Sequence, residues 1–283
     1  KKLSAEAPII LKVNIDGVIG LEHLTKDAIA QQLIESREGN FKDNRIKGIL
    51  LYINSPGGTV SDSDGIYRQI KAYKEKHNIP VYAFVDGMCA SGGMYIACSA
   101  DKVFSTDASI IGSVGVITSP FFNVSKVIEK WGIDSLTVYA GKEKDELNPF
   151  RPWKEDESKM IQDIIDNFYN QFVDIVVTNR KMDKEKLVQD FGAKAFAATL
   201  AKEYGYVNET GASYSSTLKQ LLKEIGIEDN TYMVIQLEKK TWYSELFKSE
   251  WSLLKGKITH QLQLTPDLDM QLMNQPLYLY RPE

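Results

Sequence analysis

Gly48-Ile49-Leu50-Leu51-Tyr52-Ile53-Asn54 runs directly into Ser55-Pro56-Gly57-Gly58. A short, continuous apolar run without polar alternation is the pattern of a strand buried on both faces, as in a parallel sheet. Pro56 and the two glycines close it with a turn. A helical pattern follows from about Ser61 through Ile66, Ile70 and Tyr73, with Ser61 and Asp62 as candidate caps.

The same unit recurs on both sides. Upstream, residues 9–15 alternate apolar and polar until Gly17 and Gly20, and residues 25–38 read as a helix carrying Ala28, Leu33 and Ile34. Downstream, residues 81–85 form another short strand pattern. Residues 90–100 (ASGGMYIACSA) read as a buried helix rich in small residues, and residues 103–104 and 114–117 as further strands. Strand, turn and helix in repetition predict an α/β fold with parallel pairing. Reaction sites in such folds gather at the carboxyl ends of strands. The two glycine turns, Gly57-Gly58 and Ser91-Gly92-Gly93, both follow predicted strands.

Residues 142–158 are charged and contain proline, which reads as a loop, and a long helix is expected over 155–180 with a stripe of Met160, Ile164, Phe168, Phe172 and Ile175. Past about residue 229 the character shifts. A strand is expected at 233–237 and an amphipathic helix carries Trp242, Leu246, Phe247, Trp251 and Leu254. The tail after Leu262 is extended, with Leu264, Leu268, Met270 and Leu272 nearly alternating. The expected division is a core domain over residues 1–228 and a C-terminal extension, helical and extended, over 229–283. An alternating tail is the pattern of a segment that adds to a sheet edge, its own or a partner's, and is expected across a neighbouring protomer or in a substrate groove.

With 283 residues, 43% of them hydrophobic and 25% charged, the chain is of ordinary globular composition and long enough to bury a core without disulfides. A net charge of −4 speaks against a nucleic-acid partner, which calls for a basic face. Cys89 and Cys98 form no C-x-x-C pattern and read as small buried apolar residues. No apolar run approaches the roughly 20 residues of a membrane helix, and no signal-peptide pattern follows Lys1. Metal-ligand spacing such as H-E-x-x-H is absent, so neither metal nor cofactor is expected. None of His23, His77 and His260 lies at a glycine turn, so nothing favours a Ser–His–Asp triad.

Ser91 stands out among the hydroxyls. It lies between a predicted strand and a predicted helix, where free backbone N–H groups favour developing negative charge. A nucleophile there attacks a carbonyl while neighbouring N–H groups receive the oxyanion. Taken locally, Ser91 reads first as a helix N-cap, and Gly57-Gly58 as an ordinary strand-to-helix turn.

Three blocks taken together resemble a known family: Asn54-Ser55-Pro56-Gly57-Gly58, Ala90-Ser91-Gly92-Gly93-Met94-Tyr95-Ile96-Ala97 and Gly112-Ser113-Val114-Gly115-Val116. In order and spacing they are similar to the signature blocks of signal peptide peptidase A, over about residues 8–211. The resemblance implies a crotonase-like α/β fold shared with the Clp protease proteolytic subunit. It implies Ser91 as nucleophile, Gly58 and Gly92 as backbone oxyanion donors, and Lys144 of Gly141-Lys142-Glu143-Lys144-Asp145 as base. Ser113 would orient that lysine.

It further implies a homo-oligomer in which lysine and serine of adjacent protomers meet, and hydrophobic peptides such as cleaved signal peptides as substrates. Membrane association on the extracytoplasmic side, through a segment not in this sequence, completes the implied picture. A free lysine titrates near 10.4, so a lysine base must be desolvated to be neutral at neutral pH. Glu143, Asp145 and Glu146 work against that unless Lys144 points away from them into a closed pocket. Two rivals share the fold: a crotonase-type enzyme acting on an acyl thioester, and a non-catalytic membrane scaffold.

Overall fold

A computed structural model describes residues 7–21, 23–42, 44–228, 231–237 and 277–279. Its strands are β1 (Ile9–Asp16), β2 (Ile46–Ser55), β3 (Gly57–Thr59), β4 (Val81–Ala90), β5 (Lys102–Ser105), β6 (Ile110–Gly112), β7 (Ala195–Ala197), β8 (Met233–Gln236) and β9 (Leu277–Leu279). The helices are α1 (Lys26–Glu35), α2 (Val60–His77), α3 (Gly92–Ala97), α4 (Ser125–Lys130), α5 (Lys159–Arg180), α6 (Ala198–Glu203) and α7 (Tyr214–Glu224).

The run quoted first becomes β2, in the middle of the main sheet. The sheet order is β7-β6-β4-β2-β1-β8, with β5 also pairing β4. Every pairing in it is parallel except that of β6 with β7. Alternation along the strands sends side chains to two cores. Ile9, Leu11, Ile49, Leu51, Val81 and Ala83 belong to the larger core, shared with α1, α2, α3 and α5. Ile10, Leu50, Tyr82 and Phe84 face the smaller one, closed by Leu218, Leu221 and Leu222 of α7. Burial on both faces accounts for the unbroken apolar sequence of β2, and each fully buried Ile or Leu contributes about 1.5–3 kcal/mol.

Several boundaries differ from the sequence-based expectation. The cap of α2 is Thr59, not Ser61 or Asp62: the Thr59 hydroxyl accepts from the Asp62 N–H at 3.2 Å and donates to the Asp62 carboxylate at 2.6 Å. β3 feeds into α2 without a connecting loop, so the helix starts earlier. The strand expected at 114–117 is not formed. β6 ends at Gly112 because Gly112 (φ 123°) and Ser113 (φ 54°) turn the chain away from the sheet. α5 begins at Lys159, and only its second half is buried, through Phe172, Val173 and Val176, while Met160 and Ile164 are exposed.

The strand expected at 233–237 is β8, which adds beside β1. β9 pairs antiparallel with β3. The helix expected around Trp242–Leu254 and the alternating stretch from Leu262 to Leu272 lie outside the described residues. Among the described residues, no helix is long and apolar enough to cross a membrane.

Candidate active site

β4 ends at Ala90 and α3 begins at Gly92, so Ser91 alone makes the turn from strand to helix. Its backbone sits at φ 53°, ψ −117°, a region that costs a non-glycine residue about 1–3 kcal/mol. Two bonds hold it there: the Ser91 N–H donates to the Gly112 carbonyl at 2.9 Å, and the Tyr95 N–H to the Ser91 carbonyl at 3.0 Å. Ser91 occupies the cap position of α3 but makes no capping bond, and its fully buried Oγ has no hydrogen-bond partner. An unbonded buried hydroxyl costs about a further 1–3 kcal/mol. A strained strand-to-helix turn bearing an idle serine hydroxyl is the arrangement that presents a nucleophile in α/β hydrolases.

The two glycine turns are pressed together beside it. Ile19 bridges one edge of β3: its N–H donates to the Gly57 carbonyl at 2.8 Å, and its carbonyl accepts from the Thr59 N–H at 2.9 Å. A Cβ on Gly58 would sit 1.9 Å from the Ile19 carbonyl oxygen. A Cβ on Gly92 would meet Ser63 Oγ at 2.4 Å and Gly57 Cα at 3.3 Å. Only glycine fits at either position. The Gly92 N–H, at the first helical position, has no intrahelical acceptor.

Ser55 fixes the first turn by donating to the Gly17 carbonyl at 2.6 Å and accepting from the Gly57 N–H at 3.1 Å. Ser113 follows Gly112, the residue bonded to Ser91, and is itself tied by its N–H to the Lys194 carbonyl at 2.8 Å. Ser91, Gly92, Gly58 and Ser113 thus converge at the carboxyl ends of β2, β4 and β6.

Lys144 lies elsewhere. Residues 131–144 are exposed throughout, and Lys144 stands among them on a loop bent at Gly141, Glu143 and Leu147, all at positive φ. Ser91 Oγ, having no partner, does not touch it. The carboxylates flanking the lysine in sequence are engaged by other cations. Glu143 pairs with Lys142 at 3.2 Å, and Asp145 with Arg151 at 2.5 Å. Arg151 also clasps Glu157, at 2.5 and 2.9 Å. Glu157 is buried, accepts the Leu147 N–H at 2.6 Å and the Lys154 N–H at 2.8 Å, and is held down at about 2 chiefly by Arg151. Arg151, with Asn148, likewise holds Asp145 below the ordinary carboxylate range.

Lys144 forms no ion pair among the described residues. Sequence reasoning missed the Asp145–Arg151–Glu157 clasp. Its only trace is the mixed charge of residues 142–158, which reads as solvated because nothing local shows that Glu157 is buried.

An apolar band surrounds the same loop. Phe122, Trp131, Ile133, Leu136, Val138, Tyr139 and Phe150 are all exposed, Leu136 and Val138 by 90% and 87%. Exposed large apolar side chains gathered in one stretch of chain are a common feature of contact surfaces. Among the described residues, no histidine bonds to Ser91 Oγ. His77 packs with a tilted ring against Tyr73 at 4.6 Å, before the start of β4, and His260 lies outside the described residues. Cys89 and Cys98 are both buried, and burial raises their thiols far above the ordinary range.

Comparison with known proteins gives a consistent result. The model of peptidase family S49 matches residues 73–228, and that of the Clp protease matches residues 6–118. A provisionally named signal peptide peptidase SppA of Enterococcus faecium is 31% identical over 96% of this chain and 80% of its own length. A provisionally named protease of Methanocaldococcus jannaschii is 33% identical over 67% of this chain, which spans 63% of that protein. The chloroplast serine protease SPPA of Arabidopsis thaliana is 30% identical over 65% of this chain and 27% of its own length. With a family model over more than half of its residues, a Clp-protease-like sheet and an unbonded serine at the strand–helix turn, the chain belongs to peptidase family S49, the signal peptide peptidase A family, and is a serine-type peptidase.

Proposed function

We propose that the protein is an endopeptidase that hydrolyses extended hydrophobic segments, such as cleaved signal peptides, with Ser91 as nucleophile and Lys144 of a neighbouring copy as base. The observation that carries the reading is Ser91 itself: a strained turn, fully buried, whose Oγ neither caps the helix nor bonds elsewhere.

In this mechanism Ser91 Oγ attacks the scissile carbonyl as Lys144 Nζ accepts its proton. The Gly58 and Gly92 N–H groups receive the oxyanion. Lys144 returns the proton to the leaving amine, and water releases the acyl group from Ser91. Ser113 orients the lysine amine when the two protomers close. The apolar band around the Lys144 loop supports assembly into a homo-oligomer, because burying it against a second copy would also desolvate the lysine. Arg151 engages Asp145, which makes that neighbouring acid less able to hold the lysine in its charged form. Peptide substrates need no metal or organic cofactor in this chemistry. We place the activity at the extracytoplasmic face of a membrane, where cleaved signal peptides remain, by likeness to the family.

A fluorophosphonate probe tests the reading. Wild type and Lys142→Ala should label at Ser91, and Ser91→Ala should not. Lys144→Ala should label about 10²–10⁴-fold more slowly, the usual contribution of a positioned general base. Equal labelling of Lys144→Ala and wild type would remove Lys144 from the mechanism, and no labelling of wild type would remove Ser91. A crotonase-type reading also predicts no labelling.

A further inference from the structure

The helix that follows Ser91 cannot hold itself in place. α3 has six residues, well short of the roughly 12–15 at which an isolated helix becomes even marginal in water. All six are buried, and Tyr95 alone among them carries a side-chain hydrogen-bonding group. The Tyr95 hydroxyl donates to Asp64 Oδ1 of α2 at 2.7 Å. Gln171 of α5 closes the triangle: its Nε2 donates to Asp64 Oδ1 at 2.9 Å and to the Tyr95 hydroxyl at 2.8 Å. The other Asp64 oxygen is taken by Arg68 Nε at 2.7 Å. The Tyr95 ring is gripped by the same two helices. It meets Tyr67 edge-on, with centroids 5.5 Å apart, and lies tilted against Phe172 at 5.0 Å.

Tyr95 also reaches the reacting end of the turn. Its N–H donates to the Ser91 carbonyl at 3.0 Å, so the residue pinned by its hydroxyl is the one that closes the first turn of α3 on Ser91. Ser91 is strained at φ 53°, and a strained residue persists only where its surroundings over-determine it. The bond from the Ser91 N–H to the Gly112 carbonyl holds one side of it. We propose that the Asp64–Gln171–Tyr95 triangle holds the other, and that Asp64 and Gln171 are positioning residues for the reaction at Ser91. This rests on the reading of Ser91 and Gly92 given above. With the triangle intact, α3 is fixed against α2 and α5, Ser91 Oγ stays clear of the capping geometry, and the Gly92 N–H stays aimed at the oxyanion. With it cut, α3 shifts, and a displacement of about 1 Å at the reacting atoms costs about 10²-fold in rate. Asp64 and Gln171 act through Tyr95 rather than on the substrate.

Tyr95→Phe tests this, because it keeps the ring packing and removes only the hydroxyl. In full-length chains matched for fold by circular dichroism and for oligomer mass, Tyr95→Phe should lower kcat for a hydrophobic peptide and the rate of fluorophosphonate labelling by the same factor, about 10–10²-fold, with KM unchanged. Asp64→Leu should do the same, and in the Tyr95→Phe background it should add little, since the two act through one bond. Asp64→Asn, whose amide oxygen still accepts from Tyr95 and Gln171, should restore most of the wild-type labelling rate. Gln171→Leu, at the half-buried corner of the triangle, should slow labelling severalfold, and it supplies the same readout where a variant at Tyr95 or Asp64 does not fold. Asn179→Ala cuts a different bond between α5 and α2, from Asn179 Nδ2 to the Tyr67 hydroxyl at 3.1 Å. It should lower the melting temperature and leave labelling unchanged. Variants of the triangle that melt lower yet label and turn over at the wild-type rate would overturn the proposal and leave the reading of Ser91 intact. A wild-type chain that does not label overturns both.

Discussion

The serine half and the lysine half of the site are built in opposite ways. Ser91, Gly92, Gly58 and Ser113 sit on strand ends and helix starts, are buried or nearly so, and are tied to one another through Gly112, Ile19 and Ser55. Lys144 stands on an exposed loop with no regular structure, anchored one residue away by Asp145 on Arg151, with exposed apolar side chains on both sides of it in sequence. One half is preorganised within a single chain. The other is stiffened at its base and exposed at Lys144. Under the proposed reading, a second copy would cover the exposed apolar side chains and bring a base to the idle serine in the same step, so that activity and assembly would be one event.

The sharpest way to break the contrast is at Gly58. Alanine there drives a methyl group into the Ile19 backbone, so Gly58→Ala should abolish peptide turnover and destabilise the fold by about 3 kcal/mol, the upper end for overpacking. Thermal unfolding and peptide turnover read both effects. A folded, active Gly58→Ala chain would show that β3 is neither crowded nor part of the oxyanion site.

The lysine loop should yield differently. Arg151→Ala leaves Glu157 buried without its cation, and the expected result is loss of turnover and of assembly with the central sheet intact by circular dichroism. The same clasp has a pH signature. Glu157 has its carboxyl lowered from 4.5 to about 2, so its stabilisation is fully present above pH 4.5 and is lost as pH falls from there toward 2. Loop proteolysis should therefore rise across that window in wild type. In Glu157→Gln it should be high already at neutral pH and change little on acidification. Equal acid sensitivity in both chains would assign the effect to other carboxylates.

The smallest expected effect concerns the strain stored at Ser91. Ser91→Gly relieves a positive φ and removes an unbonded buried hydroxyl. It should raise stability by about 1 kcal/mol, or roughly 2–4 °C for a domain of this size, while eliminating labelling. A fall in melting temperature would show that the serine is a structural residue.

How much of this was legible in the sequence follows from how local each signal is. β2 and the turn at Gly57-Gly58 were readable because an unbroken apolar run and a proline–glycine pair are properties of adjacent residues. The shift of the α2 cap to Thr59 was not, because it depends on β3 running into the helix without a loop. For Ser91 the sequence located the strand–helix junction, but read locally it favoured a helix cap, and the nucleophile came only from the motifs taken together. Only the backbone angles and the missing capping bond separate the two. The strand expected at 114–117 did not form, because Ser113 just before it takes φ 54° and turns the chain away from the sheet. The Arg151–Glu157 clasp was hidden because burial of one acid in a charged stretch is set by the loop's three-dimensional path.

The central claim is that nucleophile and base come from different copies, and subunit mixing tests it most directly. Ser91→Ala and Lys144→Ala chains, each inactive alone, are unfolded, mixed in equal amounts and reassembled, with exchange verified by mass. If the dyad forms across the interface, the mixture should recover about a quarter of wild-type turnover, the share of randomly formed heterologous interfaces that carry both intact residues. Mixed oligomers that remain inactive would contradict the account and return both residues to a single chain.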